Sequence, residues 1–151
     1  MKITIDIDGN LKETEVVIHA PKYSEEIVQL NEMLQAKQKK NSLLFYKKAT
    51  EYYLDVDDIL FFETNARQIH AYTEDDVYVV RYRLYELEDI LPDEFMRVSK
   101  SAILNINKIF ALTHSVSNNL IQFQNSHRQI YVSRKYYKLL RKRLEEKEKD
   151  L

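Results

Sequence analysis

Apolar and polar residues alternate in "ITIDID" (residues 3–8), and a second apolar stretch, "EVVIHA" (15–20), follows Asp8-Gly9-Asn10. A period of two is the mark of a half-buried strand. The first twenty residues therefore predict a β-hairpin, with Gly9, the only glycine, at the position that wants positive φ. After Pro21 the period lengthens. From Tyr23 to about Lys39, Ile27, Leu30 and Leu34 recur at helical spacing with Glu25, Glu26 and Glu32 between them, and Ser24 is placed to cap the helix. One hairpin and one helix bury too little surface to stand alone. This appendage, residues 1–42, is expected to pack on the remainder or on a second copy, with "AKQKKNS" as the linker.

From about Tyr46 the pattern is mostly β. "YYLDVDDILFFE", "RQIHAYT" and "VYVVRYR" predict strands, the last two separated by the turn-like Thr73-Glu74-Asp75-Asp76. "LYELEDIL" (84–91) predicts a short helix stopped by Pro92. Strands follow in "RVSKSAILN" and "KIFAL", then in "LIQFQ" and "QIYVS", which Asn125-Ser126-His127-Arg128 joins as a hairpin. Ser133 is positioned to cap a closing helix, "RKYYKLLRKRLEEKEKD", on which Tyr137, Leu140 and Leu144 share a face. The expected fold class is mainly β with short helices, a main domain at 46–145 and a charged tail at 146–151.

The charges are segregated along the chain. Residues 1–94 hold 11 Lys or Arg and 20 Asp or Glu, whereas residues 95–144 hold ten Lys or Arg and no acid, in a chain of net charge -1. Such asymmetry points to a polyanionic partner, nucleic acid before acidic lipid. The plainer alternative is that the basic tract pairs with the acidic half. At 151 residues there is room for one core. The absence of cysteine excludes disulfides, thiolate nucleophiles and Cys-based zinc sites. No apolar run nears the roughly 18 residues of a membrane span, and the alternating N-terminus is unlike a signal peptide. A cytoplasmic protein is expected.

DNA recognition needs cations for phosphates and donors that reach base edges. In "RVSKS" Lys100 stands between two serines just before an apolar strand, a donor on a short loop flanked by hydroxyls. In "VSRKYY" Arg134 opens a helix, where backbone N–H groups also favour an anion.

Taken together, "YYLDVDDILFFET", "VYVVRYRLYELEDILPDEFMRVSKSAILNINKI" and "IYVSRKYYKLLRKRL" resemble the LytTR DNA-binding domain, the output module of many bacterial transcription regulators, over residues 46–145. The first forty residues resemble the leader of small LytTR proteins without a receiver domain. The resemblance implies an elongated antiparallel β fold that reads the major groove through loops. It places base contacts at the first inter-strand loop, at "RVSKS" and at the strand-to-helix junction, which correspond here to Arg67 (with Gln68 in reserve), Lys100 and Arg134. Arg97, Ser101, Ser133, Lys135 and Lys138 become candidates for phosphate contact. The implied partner is promoter duplex DNA with repeated sites, joined by analogy by a homodimer partner and a regulatory membrane protein. No cofactor and no small-molecule substrate are expected.

Each assignment has a structural counterpart. Lys100 could be a solvated loop lysine, Arg134 an ion-pair partner, and Arg97, between Met96 and Val98, a brace within the fold. Most of the eleven tyrosines suit packing better than base stacking. A second functional class is an adaptor for an acidic protein or membrane surface. A third is a Mg²⁺ nuclease using "DVDD" (55–58) and Glu63, disfavoured because Asp55 and Asp57 would share one face of a strand while Asp58 points away. His19, His70, His114 and His127 have no metal-ligand spacing, so no enzyme activity is expected.

Overall fold

Phe61 and Phe62 are adjacent in sequence and buried in different cores. They open β3 (Phe61–Asn65), and successive strand side chains point to opposite faces of a sheet. Phe62 packs with Leu43, Phe45, Ile59, Leu87 and Leu91, whereas Phe61 packs with Leu104, Ile121, Phe123, Ile130 and Leu140. The main sheet is therefore covered on both faces around β3. The structure is a computed structural model and describes residues 1–37 and 41–149.

The chain divides into two units, Met1–Gln38 and Lys39–Leu151. In the first, α1 (Glu25–Lys37) forms as the periodicity predicts, and the Ser24 carbonyl accepts the first helical bond from Val28 N at 3.1 Å. The expected hairpin does not form. Among the described residues nothing before α1 is strand, and Gly9 does not take positive φ. A turn does occur there, with Leu11 N donating to the Asp8 carbonyl at 3.2 Å and Asn10 N to the Asp8 carboxylate at 3.0 Å. A lone two-stranded hairpin is marginal because it has no third layer to bury its apolar side, and Ile3, Ile5 and Ile7 are each at least 80% exposed. Of the expected linker, residues 38–40 lie outside the described residues.

The second unit begins with a strand that the sequence reading passed over, β1 (Ser42–Lys47), paired antiparallel with β2 (Thr50–Asp55). Next come β3, β4 (Gln68–Tyr72), β5 (Val77–Val80), α2 (Leu84–Ile90), β6 (Phe95–Ser99) and β7 (Ala102–Asn105). These seven strands make one antiparallel sheet in the order β2-β1-β5-β4-β3-β7-β6. A smaller antiparallel sheet, β10-β9-β8, is built from β8 (Ile109–His114), β9 (Asn119–Phe123) and β10 (Gln129–Tyr131). The chain closes with α3 (Arg134–Lys149), which buries Leu140 with Tyr137 and Leu144 beside it, so helix continues past residue 145.

Two expectations change locally. "VYVVRYR" leaves the sheet after Val80, since Arg83 is already the residue before α2 and its N–H is capped by the Glu86 carboxylate at 3.0 Å. "DVDD" is not continuous strand. Asp55 accepts from Asp57 N at 2.9 Å and starts a 3-10 turn at Val56–Asp58, so Asp55 serves as a cap. The same device recurs after β7, where Asn105 accepts from Asn107 N at 3.0 Å ahead of a 3-10 turn at Ile106–Lys108. In both places an Asp or Asn, a β-branched residue that is buried, and an Ile that restarts the chain turn a strand into the next layer.

Candidate nucleic-acid interface

β3 and β4 are joined by Ala66 and Arg67, with Asn65 facing Gln68 across the hairpin. Both loop residues have positive φ, 52° and 67°. A two-residue loop of this kind matches the right-handed strand twist, and it is ordinarily built from Asn and Gly. Here Ala and Arg occupy it, which costs roughly 1 kcal/mol each and leaves Arg67 exposed at the tip of the hairpin.

The second turn joins β6 to β7. Ser99 faces Ala102 and Lys100-Ser101 form the tip, after a register shift between Arg97 and Ser99. The tip is stapled by its serines: Ser101 N donates to Ser99 Oγ at 3.2 Å, and the two hydroxyls lie 3.3 Å apart. Lys100 is exposed, and among the described residues its ammonium has no carboxylate partner. Arg97 is different. Its Nε donates to the Ser99 carbonyl at 2.8 Å, its guanidinium reaches the Lys100 carbonyl at 2.5 Å, and it pairs with Glu88 of α2. These bonds make the guanidinium a brace for the turn that presents Lys100.

The third element is the junction of β10 with α3. The Ser133 carbonyl accepts from Tyr137 N at 2.9 Å, which makes Ser133 the residue before the helix, and Arg134 is its exposed first residue. Arg134 touches the Val116 carbonyl at 3.4 Å, in the turn between β8 and β9. That turn, closed by Ser115 N to the Asn118 carbonyl at 2.9 Å, was not singled out in the sequence. His114 at its base stacks on Tyr137 with ring centroids 4.4 Å apart and bonds the Asn119 side chain. Ser133, Lys135 and Lys138 are all exposed near this start of the helix, and Arg134 and Lys138 share a cleft of about 440 Å³ with the β8–β9 turn.

Two backbone hydrogen bonds bring these elements together. Thr64 N, beside the Arg67 turn, donates to the Ser101 carbonyl at 2.8 Å, and Ser133 N donates to the Val98 carbonyl at 3.2 Å. Arg67, Lys100 and Arg134 therefore project from neighbouring turns at one end of the second unit. Main-chain links fix the spacing of those turns more rigidly than side-chain contacts would.

The basic tract of residues 95–144 is not one continuous face. Arg97 is tied to Glu88 and two carbonyls. Arg128 donates to the carbonyls of Thr73 and Asp76 at 2.9 and 3.3 Å and lies 5.0 Å from the Tyr72 ring centre. Arg143 donates to the Asp93 carbonyl at 2.5 Å, and Arg141 pairs with Glu145 at 3.8 Å. Conversely, the acidic first half supplies exposed cations. Lys48, Arg67, Arg81 and Arg83 line a groove of about 850 Å³, none with a carboxylate partner among the described residues. The sequence signals were present in "YKKAT" and "RYR", but the net acidity of that half hid them.

Among the described residues no group of three or more His, Asp or Glu could hold a metal ion, and no helix is long and apolar enough to cross a membrane. A family model described as the LytTr DNA-binding domain matches residues 49–145. An uncharacterized HTH-type transcriptional regulator of Staphylococcus aureus (strain NCTC 8325 / PS 47) is 29% identical over 144 residues, covering 95% of this chain and 98% of the relative. A counterpart from the bovine strain RF122 / ET3-1 is 28% identical over the same length. These alignments run well beyond the family model and take in most of the first unit. Among solved structures, the LytTr DNA-binding domain of a protein described as a methyl-accepting/DNA response regulator from Bacillus cereus superposes with a TM-score of 0.64 at 25% identity, covering 70% of this chain and 97% of that one. The relatives' "HTH-type" label has no counterpart in the element order here, where strands separate each helix from the next among the described residues.

Proposed function

Because the chain belongs to the LytTr DNA-binding domain family, we propose that it is a transcriptional regulator that reads the major groove of promoter DNA with side chains carried on three turns. The observation that carries this reading is the pair of main-chain bonds, Thr64 to Ser101 and Ser133 to Val98, that set the three turns side by side. Arg67 and Arg134 present planar forks suited to guanine, Lys100 a point donor, and Gln68 an amide suited to adenine. Ser101, Ser133, Lys135 and Lys138 surround them as phosphate contacts, and the start of α3 adds backbone N–H groups. No chemical step is required of the protein. The exposed Ile3, Ile5 and Ile7 of the first unit are what a homodimer or a regulatory membrane protein would engage.

Selection of bound fragments from random duplex DNA tests the reading, followed by titration of the recovered site. Affinity should fall with salt by a log-log slope of about -0.9 per neutralised phosphate. Lys100→Ala and Arg134→Ala should each lower discrimination between the selected site and random duplex by about 1 to 3 kcal/mol. Equal loss on every sequence would reduce both residues to phosphate clamps, and anionic vesicles competing as well as duplex would favour the adaptor.

A further inference from the structure

The groove that carries Lys48, Arg67, Arg81 and Arg83 lies outside the three turns and shares only Arg67 and its neighbours Thr64 and Gln68 with them. Its position follows from strand register. Ile69 faces Val80 and Tyr46 faces Val79, so the Arg67 turn sits beside the segment leaving β5, with β1 on the far side. The order across the sheet, β1-β5-β4-β3-β7-β6, then puts the groove on the side of Arg67 away from Lys100 and Arg134.

Four features mark it as built for a polyanion. Its charged lining residues are all basic. Lys48 occupies the β1–β2 turn with φ of 56°, so it shares with Arg67 a left-handed backbone that glycine would adopt without cost. Arg81 lies over the Tyr46 ring, 3.9 Å from its centre, a contact that anchors the guanidinium without using its N–H donors on a carboxylate. Arg83 is fixed at the start of α2 by the bond from its N–H to Glu86, and the guanidinium is left out of that bond.

Resting on the DNA-binding reading above, we propose that this groove grips the sugar-phosphate backbone flanking the recognition site, on the side of the base read by Arg67 and not on the side read by Arg134. Contact there is independent of sequence. It extends the footprint asymmetrically, so one protomer has a long and a short flank.

The test uses the full chain and the selected site in fluorescently labelled duplexes with both flanks, with either flank removed, or with random sequence. The Arg67 side is identified as the position whose discrimination Arg67→Ala abolishes. The triple variant Lys48→Ala, Arg81→Ala, Arg83→Ala should weaken binding to selected and random long duplex alike, by about tenfold or more, and flatten the salt slope by up to about 2.7. Removing the Arg67-side flank should reproduce that loss in the unaltered protein and make the triple variant its equal. Removing the other flank should leave the difference intact. Arg81→Lys, which keeps the charge, should hold the salt slope, and thermal melting establishes that each variant is folded.

Unchanged affinity and slope in a folded triple variant overturn the proposal, as do equal effects of the two truncations. Loss of binding only to phosphatidylserine vesicles, with DNA affinity retained, also overturns it and assigns the groove to a membrane surface. Lys100→Ala and Arg134→Ala measured in parallel separate the two levels. If they lose discrimination while the triple variant matches the unaltered protein, only the groove inference fails, whereas no duplex binding by the unaltered protein removes both.

Discussion

The guanidinium of Arg97 donates to the backbone carbonyl of Lys100 at 2.5 Å, so the side chain of one basic residue sets the backbone position of another. A second bond to the Ser99 carbonyl and the pair with Glu88 fix the fork between the turn and α2. Lysine has three donors on one nitrogen but not the spread planar fork that reaches both carbonyls and Glu88 at once. Arg97→Lys should therefore cost about 1 to 2 kcal/mol of stability and reduce discrimination in the same direction as Lys100→Ala. The salt slope should stay unchanged, because no phosphate contact is lost. Duplex titration across a salt series checks this, and a flattened slope would return Arg97 to the phosphate contacts.

The Ala66-Arg67 turn separates stability from binding. Ala66→Gly relieves a left-handed alanine but adds freedom to the unfolded chain, leaving a net gain of about 0.5 to 1 kcal/mol. Its DNA affinity should be unchanged, since Ala66 offers no polar side chain. Arg67→Gly should gain similar stability and lose discrimination at one base position. Urea unfolding with binding to the selected site measures both. A destabilised Arg67→Gly would mean that the arginine packs in the fold.

Most elements of the second unit were legible in the sequence because their apolar periods are long and their turn residues explicit. Leu140 and Leu144 on α3, and Asn125 at the left-handed position of the β9–β10 turn, are examples. β1 was missed because "SLLFYK" follows a charged run and is short. The hairpin before α1 was overread: alternation reports a strand's preference, but pairing also needs a face to bury, and Ile5 and Ile7 have none. The site was partly legible. Arg67, Lys100 and Arg134 do fall on neighbouring turns. Charge counted along the chain misjudged the surface, however, because Arg97, Arg128 and Arg143 satisfy main-chain carbonyls while Lys48, Arg81 and Arg83 stand in an acidic half.

Two glutamates give stability an unusual pH trend. Burial pushes the Glu63 carboxyl up, with His70 opposing in part, and burial together with neighbouring Asp57 and Asp93 pushes Glu94 up. A carboxyl with a raised folded pKa binds more protons in the native than in the unfolded state, so its contribution falls as pH rises. The window opens near the unfolded glutamate value, about 4.3, and closes at the raised native value. Opposing it, Lys47 holds the exposed Asp76 carboxyl below its usual range, a contribution lost as pH falls through that lowered value. Glu63→Gln and Glu94→Gln should each flatten the decline above pH 4.3 without moving the acid limb that Asp76 sets. Urea midpoints across pH check it, and a steeper decline in either variant would contradict the assignment.

Asn105 ties the two strand-ending turns together. It is 1% exposed, its side-chain amide donates to the Ile59 carbonyl at 3.1 Å, its oxygen accepts from Asn107 N at 3.0 Å, and its own N–H donates to the Leu60 carbonyl at 2.9 Å. The side chain thus closes the second 3-10 turn while anchoring the end of the first. Asn105→Ala leaves the buried Ile59 carbonyl unpaired, removes the acceptor of the part-buried Asn107 N–H and opens a small void, which should cost about 2 to 4 kcal/mol. Asn105→Asp should cost more at neutral pH than in mild acid, because the donor is replaced by a buried charge. Asn105 ends β7 at the opposite end from Lys100-Ser101. Folded Asn105→Ala should therefore bind the selected duplex with unchanged affinity while its urea midpoint drops at constant m-value. A loss of DNA affinity under conditions where the variant is fully folded would show that the two ends of the sheet are coupled through β7.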